Sequence, residues 1–353
     1  MIIDAKILLC YNAPVSIYQV YNGKPKEYDG TVDDTSESSF VNELDTLVAS
    51  LQKYFTSVET LAITKNIGES IRKISAINPD AIFNMVESVE GNATFEAFHA
   101  GIFDLLDIPY TGNHPQALGN CLNKTYAKQI LRSHGINTPG SLTYTPHSRI
   151  TQKSFSLQFP VITKLAKEDA SIGISEHSVV SSFENLKKQI KFLTSTYNQE
   201  VIVEEYIAGR EFNIAVLGNS TLPISEIDFS GLPDHLPKIV TYEGKWISES
   251  VYYKHTTPKC PAPLSEEQRK NISATALATY NAMECRDYAR VDIRLDKNDV
   301  PYVIEVNPNP DISTDSGFAR AAKASGLHYE EMLYKIINLA LHRGKRDTQI
   351  KAG

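Results

Sequence analysis

The chain has 353 residues, of which 42% are hydrophobic and 22% charged, with a formal net charge of −7. This is the balance of a globular protein with ample core and room for two or three domains. The absence of a long basic run excludes a broad electrostatic nucleic-acid surface, and no apolar run approaches a membrane span.

The start, MIIDAKILLC, is interrupted by Asp4 and Lys6, so it reads as a first buried strand and not as a signal peptide. Phe40, Val41, Leu44, Leu47, Val48 and Leu51 then recur at helical spacing. VETLAIT (58–64) and DAIFNMV (80–86) are further strands, with a helix over 67–77 between them. This βαβαβ order predicts a parallel sheet with helices on both sides. No G-x-G-x-x-G follows the first strand, which argues against a dinucleotide domain. Asn84, Glu87 and Glu90 fall at or just past the end of the third strand, where open α/β sheets bind ligands. IPYTGNHP (108–115) is turn-rich and marks a junction. A helix over 124–134 follows, then a smaller unit: strand VITKL, a polar loop, a helix over 183–193 and strand VIVEEY.

The third unit has strands over 211–218 and 222–227, and a long helix opened by the capping box of Ser265 and Gln268. Two adjacent strands come next, ARVDIRLD (289–296) and VPYVIEVNPNP (300–310), turned by Asp-Lys-Asn-Asp. Period-two alternation places Arg290, Asp292 and Arg294 on one face of the first, and Val303, Glu305 and Asn307 on one face of the second. The hairpin so presents Asp292, Glu305 and Asn307 as an all-oxygen cluster beside Arg290. Hard oxygen ligands suit Mg²⁺, which leaves coordination sites for water and phosphates. Helices over 316–324 and 329–342 precede a tail expected to fray. Cys10, Cys121, Cys260 and Cys285 are scattered, with no C-x-x-C pair. They predict reduced thiols in a cytoplasm, with neither a disulfide framework nor a zinc site.

Two further segments carry chemistry. Lys164 ends an apolar strand and is followed by the small-residue loop 168–173, a plausible phosphate cradle. Glu204 and Glu205 end one strand and Glu211 begins the next, a crossing whose backbone and carboxylates suit an adenine edge and ribose hydroxyls. Lys124, in NKTYAKQIL, reads on its own as a surface lysine.

In chain order these pieces are Lys124, Lys164 with its loop, Glu204 to Glu211, Lys245, Arg290 with Asp292, and Glu305 with Asn307. Together with EVNPNP, that order resembles the ATP-grasp superfamily, and within it the D-alanine–D-alanine ligase group. The resemblance runs from KILLC to the last helix. It implies an α/β fold with an N-terminal α/β unit (1–115), a central ATP-grasp unit (116–207), a C-terminal ATP-grasp and metal-binding unit (208–345) and a flexible tail (346–353). It further implies that Lys124 and Lys164 hold the α- and β-phosphates of ATP, that the loop around Ser171 covers them, and that Glu204, the backbone of Glu205 and Ile207, and Glu211 hold adenosine. Lys245 would reach the γ-phosphate from a mobile loop. Asp292, Glu305 and Asn307 would bind two Mg²⁺, replaceable by Mn²⁺, and Arg290 would stabilise the reacting carboxylate.

Glu37 resembles the N-terminal glutamate that, in this group, joins a serine and a tyrosine around the first substrate. The serine position holds Ala170, the tyrosine position Trp246, and the glycine after the metal motif is Asp311. Asp315 precedes Ser316, which would face the second substrate's carboxylate. The implied function is an ADP-forming ligase joining a small-molecule carboxylate, activated as acyl phosphate, to an amine. A homodimer, without nucleic-acid or membrane partners, is expected. A D-alanine–D-alanine ligase and a catalytically silent ATP-binding module are the alternatives. The two added aspartates predict a cationic acceptor, unless they cap the helix near Ser316.

Overall fold

The computed structural model describes residues 2–13, 15–24 and 35–351, without the side chains of 35–42 and 345–351. The first sheet contains β1 (Ile3–Asn12), β2 (Phe55–Ile63) and β3 (Ala81–Met85), all parallel in the order β2-β1-β3. Alternation along β1 feeds two cores. Ala5, Ile7 and Leu9 face one side, whereas Leu8 and Cys10 face the other. The helices α1 (Thr35–Leu51) and α2 (Ile67–Ile77) are the crossovers the alternating pattern requires, and α3 (Thr94–Leu105) follows β3. A short helix, α4 (Pro115–Leu122), follows directly with proline in its first turn. The turn-rich composition before Pro115 hid it from the sequence reading.

After α5 (Lys124–Ser133), a four-stranded antiparallel sheet takes the order β4-β7-β5-β6, with β4 (Ser141–Tyr144), β5 (Val161–Leu165), β6 (Val179–Val180) and β7 (Val201–Glu205). The buried face of α6 (Phe183–Tyr197) covers it through Leu186, Ile190 and Leu193. The third sheet, also antiparallel, contains β8 (Glu211–Leu217), β9 (Ser220–Thr221), β10 (Ser225–Asp228), β11 (Thr257–Lys259), β12 (Tyr288–Leu295) and β13 (Pro301–Asn307). Its path is β11-β10-β8-β12-β13, with β9 on β8. Two one-turn helices, α7 (Tyr242–Trp246) and α8 (Val251–His255), lie between β10 and β11, and α9 (Glu266–Ala282) packs on the sheet. The expected capping box of Ser265 and Gln268 opens α9.

The β12–β13 pairing shifts register after Asp292, so that Asp292 faces Glu305 while Ile293 faces Val303. The extra residue, Ile304, is a β-bulge. It overturns the alternation expected along β13: Val303 turns into the core with Val306, and Ile304 lines a cavity beside Glu305. The chain then returns to the first sheet, where α10 (Gly317–Ala324) and α11 (Tyr329–Lys351) bury Phe318, Met332, Leu333 and Ile336 against β1 and β3. The α11 backbone stays helical to Lys351, past the end expected at residue 342. No proline interrupts it there. Among the described residues no helix is long and apolar enough to cross a membrane.

Candidate active site

The two antiparallel sheets face each other across a cavity of about 240 Å³, lined on one side by Lys164 and Glu204 and on the other by Glu211, Arg290, Asp292, Arg294 and Glu305. Pairing sets its centre, because Arg290 lies opposite Asn307 and Asp292 opposite Glu305. Arg290 grips both Asp292 oxygens, through Nε at 2.8 Å and Nη2 at 2.9 Å. Asn213 on β8 donates to Asp292 Oδ1 at 2.7 Å, and Asn307 donates to Oδ2 at 3.1 Å. Burial opposes the charge of Arg290, but Asp292 and Glu305 outweigh it and raise its pKa. Burial likewise pushes the Glu305 carboxyl up, while Lys124, Lys164 and Lys245 more than reverse this and hold it at about 2. Glu305 is therefore ionised at neutral pH.

Lys124 opens α5, after Asn123 as N-cap. Its ammonium reaches Glu305 Oε1 at 3.0 Å, Asp169 Oδ1 at 3.1 Å and the Glu168 carbonyl at 2.5 Å. Burial disfavours that charge, and Asp169 and Glu305 prevail, raising its pKa. Lys164 and Lys128 flank Glu204 at 3.2 and 3.1 Å. Glu204 is 1% exposed, and this burial is offset by the two lysines, which keep its pKa low. Lys128 is left depressed to about 8, because burial outweighs the pull of Glu204. The sequence reading passed over Lys128. The signal was its i+4 spacing from Lys124, one turn along the same face.

At the β7–β8 crossing, the Glu205 N–H bonds the Gly140 carbonyl at 2.9 Å, and the Ile207 carbonyl accepts Arg294 Nη1 at 2.8 Å. Glu211 is held by Arg294 through Nε at 2.8 Å and Nη2 at 2.7 Å. Of the backbone expected at an adenine edge, the Glu205 N–H and the Ile207 carbonyl are thus engaged within the protein.

The loop after β5 has Ala170 at φ 53° and Ser171 at φ 60°, consecutive non-glycine residues in the left-handed region. Such a conformation costs about 1 kcal/mol per residue and persists only when neighbours hold it. Here Trp246 Nε1 donates to the Ala170 carbonyl at 3.0 Å, Ser171 Oγ to the Val240 carbonyl at 3.2 Å, and the Tyr242 N–H to the Ile174 carbonyl at 3.0 Å. Trp246 so ties the loop and does not line the cavity. Lys245, its neighbour, does line it. Burial and Arg290 lower its pKa, against the pull of Glu305 and Asp292.

A strap formed by residues 15–24 crosses the same loop. The Gly173 N–H bonds the Tyr21 carbonyl at 2.8 Å, and Tyr18 Oη donates to Glu168 at 2.6 Å. Lys24 bridges Glu243 at 2.8 Å and Glu176 at 3.1 Å. A Cβ on Gly23 would come within 2.2 Å of the Gly173 carbonyl, so only glycine allows this approach. Glu37 falls in α1, with its side chain outside the described residues.

Asp311 and Asp315 are exposed and do not line the cavity. The Ser313 N–H donates to Asp311 at 2.8 Å and Ser313 Oγ to Asp315 at 3.2 Å. Helix α10 is capped by Ser316, whose Oγ accepts from the Ala319 N–H at 3.1 Å. Neither aspartate is the cap; both carboxylates are exposed, and the charge of Asp311 still reaches Arg290 and helps to raise its pKa. Gly317 and Arg320 line the cavity instead. Glu96 was also missed. It is 7% exposed and accepts from Asn309 Nδ2 at 3.2 Å, while burial, Glu87 and Asp169 raise its pKa well above the carboxylate range.

A family model described as D-ala D-ala ligase C-terminus matches residues 130–338. An uncharacterised protein from Sinorhizobium fredii is 32% identical over 262 residues, covering 74% of this chain and 75% of that protein. The D-alanine–D-alanine ligase of Carboxydothermus hydrogenoformans is 31% identical over 311 residues, 84% of this chain and 92% of the relative. The structure of D-alanine–D-alanine ligase from Bacillus anthracis complexed with ATP matches with a TM-score of 0.73 over 97% of this chain and 99% of that one, at 23% identity, a likeness of fold. The chain belongs to the D-alanine–D-alanine ligase family and has its ATP-grasp fold.

Proposed function

We propose that this chain is an ADP-forming ligase that activates a carboxylate, that of an amino acid, with ATP and joins it to an amine. The observation that carries the reading is the cavity between the two sheets, in which Lys164, Lys245 and Arg290 converge on Asp292 and Glu305. Lys124 and Lys164 would hold the α- and β-phosphates under the loop around Ser171, and Lys245 the γ-phosphate. Glu204, Glu205, Ile207 and Glu211 would hold adenosine. A carboxylate is a poor electrophile, so phosphorylation is needed before the amine attacks. Arg290, already oriented by Asp292, would offset charge on the oxyanion that follows. Covering the site with the latched loops would exclude water from the acyl phosphate.

Asp292, Glu305 and Asn307 offer only oxygen donors on facing positions of two strands, a set that fits Mg²⁺, or Mn²⁺ in its place. Bound there, the metal would neutralise charge on the transferring phosphoryl group. The three sheets fit three units, with joins near residues 115 and 207, and the four unpaired cysteines fit a cytoplasmic setting.

A second reading is D-alanine–D-alanine synthesis, favoured by the activity named for the Carboxydothermus relative. Against it stand Ala170 and Trp246, where the resemblance leads one to expect a serine and a tyrosine. The test is hydroxylamine trapping. With ATP and a panel of amino acids, the donor should appear as its hydroxamate, with ADP released. Pyrophosphate release would indicate an adenylate and overturn the mechanism. D-alanine as sole productive donor and acceptor would establish the second reading.

A further inference from the structure

Lys128 is buried, yet it does not line the cavity between the two sheets. It lies on α5 one turn beyond Lys124. Its ammonium is 3.1 Å from Glu204 Oε1, while that of Lys164 is 3.2 Å from Oε2. Lys164 and Glu204 are diagonal neighbours on β5 and β7, because Ile162 faces Glu204 and Lys164 faces Ile202. One carboxylate therefore stands between two ammoniums. Glu204 and Lys164 belong to the cavity wall, and Lys128 approaches Glu204 from outside it. Glu204 Oε1 accepts no aligned hydrogen bond, so Lys128 acts on it as a charge.

A third element fixes that charge in place. Lys128 Nζ donates to Thr138 Oγ1 at 3.0 Å, and this hydroxyl donates to the Val303 carbonyl at 2.8 Å. The Val303 N–H in turn donates to the Asn137 carbonyl at 2.9 Å. Burial lowers the Lys128 pKa only to about 8, so the group is a cation at neutral pH, and the Lys164 charge opposes it across Glu204. Two ammoniums and one carboxylate leave a single positive charge, and the ammonium open to the cavity is that of Lys164. Without Lys128, Glu204 would cancel Lys164, and a phosphate would compete with a buried carboxylate for the same lysine.

We infer that Lys128 is a positioning residue for ATP: from outside the cavity it occupies Glu204, and so leaves the Lys164 ammonium to the phosphates. This inference rests on the ATP site proposed above. It requires no contact between Lys128 and the nucleotide.

The experiment is equilibrium dialysis of the full chain in Mg²⁺ against ADP and, separately, adenosine. The ratio of the two affinities isolates the share owed to the phosphates. Lys128→Met should lower that ratio about tenfold, the order expected of one unit charge acting across a partly solvated site. Lys128→Arg should keep most of it. Adding Glu204→Gln to Lys128→Met should restore the ratio, whatever it does to adenosine itself, because no carboxylate is left to hold Lys164. A lysine that served folding alone would weaken both ligands alike. An unchanged ratio in Lys128→Met, or no recovery in the double variant, would therefore overturn the inference. If Lys128→Met does not fold, Glu204→Gln alone decides: it should raise the ratio, and an unchanged ratio would overturn the inference. A wild-type chain that binds ADP no better than adenosine would refute the phosphate site itself, and both readings fall.

Discussion

Replacing Arg294 with methionine removes the cation that joins three segments around the cavity. Arg294 is 3% exposed and Glu211 6%. The guanidinium gives Nε and Nη2 to Glu211, Nη1 to the Ile207 carbonyl and Nη2 also to the Lys238 carbonyl. It also stacks on Tyr206, 5.0 Å from the ring centre. Methionine keeps much of the volume and none of the donors. Glu211 then becomes a buried carboxylate without a counter-charge, which costs about 3–5 kcal/mol when one partner of a buried pair is removed. That is a large share of the roughly 5–15 kcal/mol that holds a folded domain together. Glu211→Gln should cost a similar amount, because it strands the guanidinium. The double variant carries no buried charge at this point and should recover about 2 kcal/mol or more relative to the sum of the singles. Urea unfolding of the four proteins, followed by circular dichroism, gives the cycle. Equilibrium dialysis with ATP then shows whether the crossing that Arg294 ties still binds nucleotide. A loss under about 1 kcal/mol in Arg294→Met, or strictly additive losses, would refute the idea that the pair acts as a unit.

Glu305→Gln should abolish turnover with an unchanged circular dichroism spectrum, since the side chain is 25% exposed at the cavity wall; wild-type turnover would remove the metal assignment. Trp246→Phe deletes the hydrogen bond to Ala170, worth about 0.5–1.5 kcal/mol net, so the latched fraction of the loop should fall about 2- to 12-fold. The readout is ADP released per amide formed, which should rise; a constant ratio would deny the latch. His99 is 2% exposed, has no partner on either ring nitrogen, and is pushed down to about 4 by burial. Below pH 6.5 the unfolded chain takes up a proton that the folded chain refuses, so stability falls as pH drops toward 4, by up to about 3 kcal/mol. His99→Leu should lack that share of the fall, and parallel unfolding profiles between pH 7 and 4 would sink the argument.

The hairpin was legible because two features coincide in it: its strands are adjacent in sequence, and its polar residues recur at the period of a strand. Its bulge was not, since nothing local to Ile304 distinguishes an inserted residue from an ordinary one; only pairing with Asp292 and Ile293 reveals it. The cavity as a whole was legible only as an order of motifs, because Lys124 at the start of α5, Lys164 on one sheet and Glu305 on another are brought together by the packing of separate elements and not by proximity in the chain. Lys128 and Asn213 were missed for the opposite reason. Each sits in an ordinary amphipathic context, and its part in the site appears once a neighbouring element supplies Glu204 or Asp292. How far Asp311 and Asp315 act on the site was not legible, because a carboxylate's effect depends on where it points: Ser313 bonds both at the surface, and the Asp311 charge still reaches Arg290.

The strap at residues 15–24 couples two parts of the site's cover that lie far apart in the chain. It leaves the end of β1 and grips the loop beneath it at Gly173 and Glu168, then the neighbouring α7 through Lys24 and Glu243. Two covers that could otherwise swing separately are fastened by one short segment. Either cover can open only once the strap's contacts to it part, so a ligand held where β1 ends would be felt at both covers through the same ten residues.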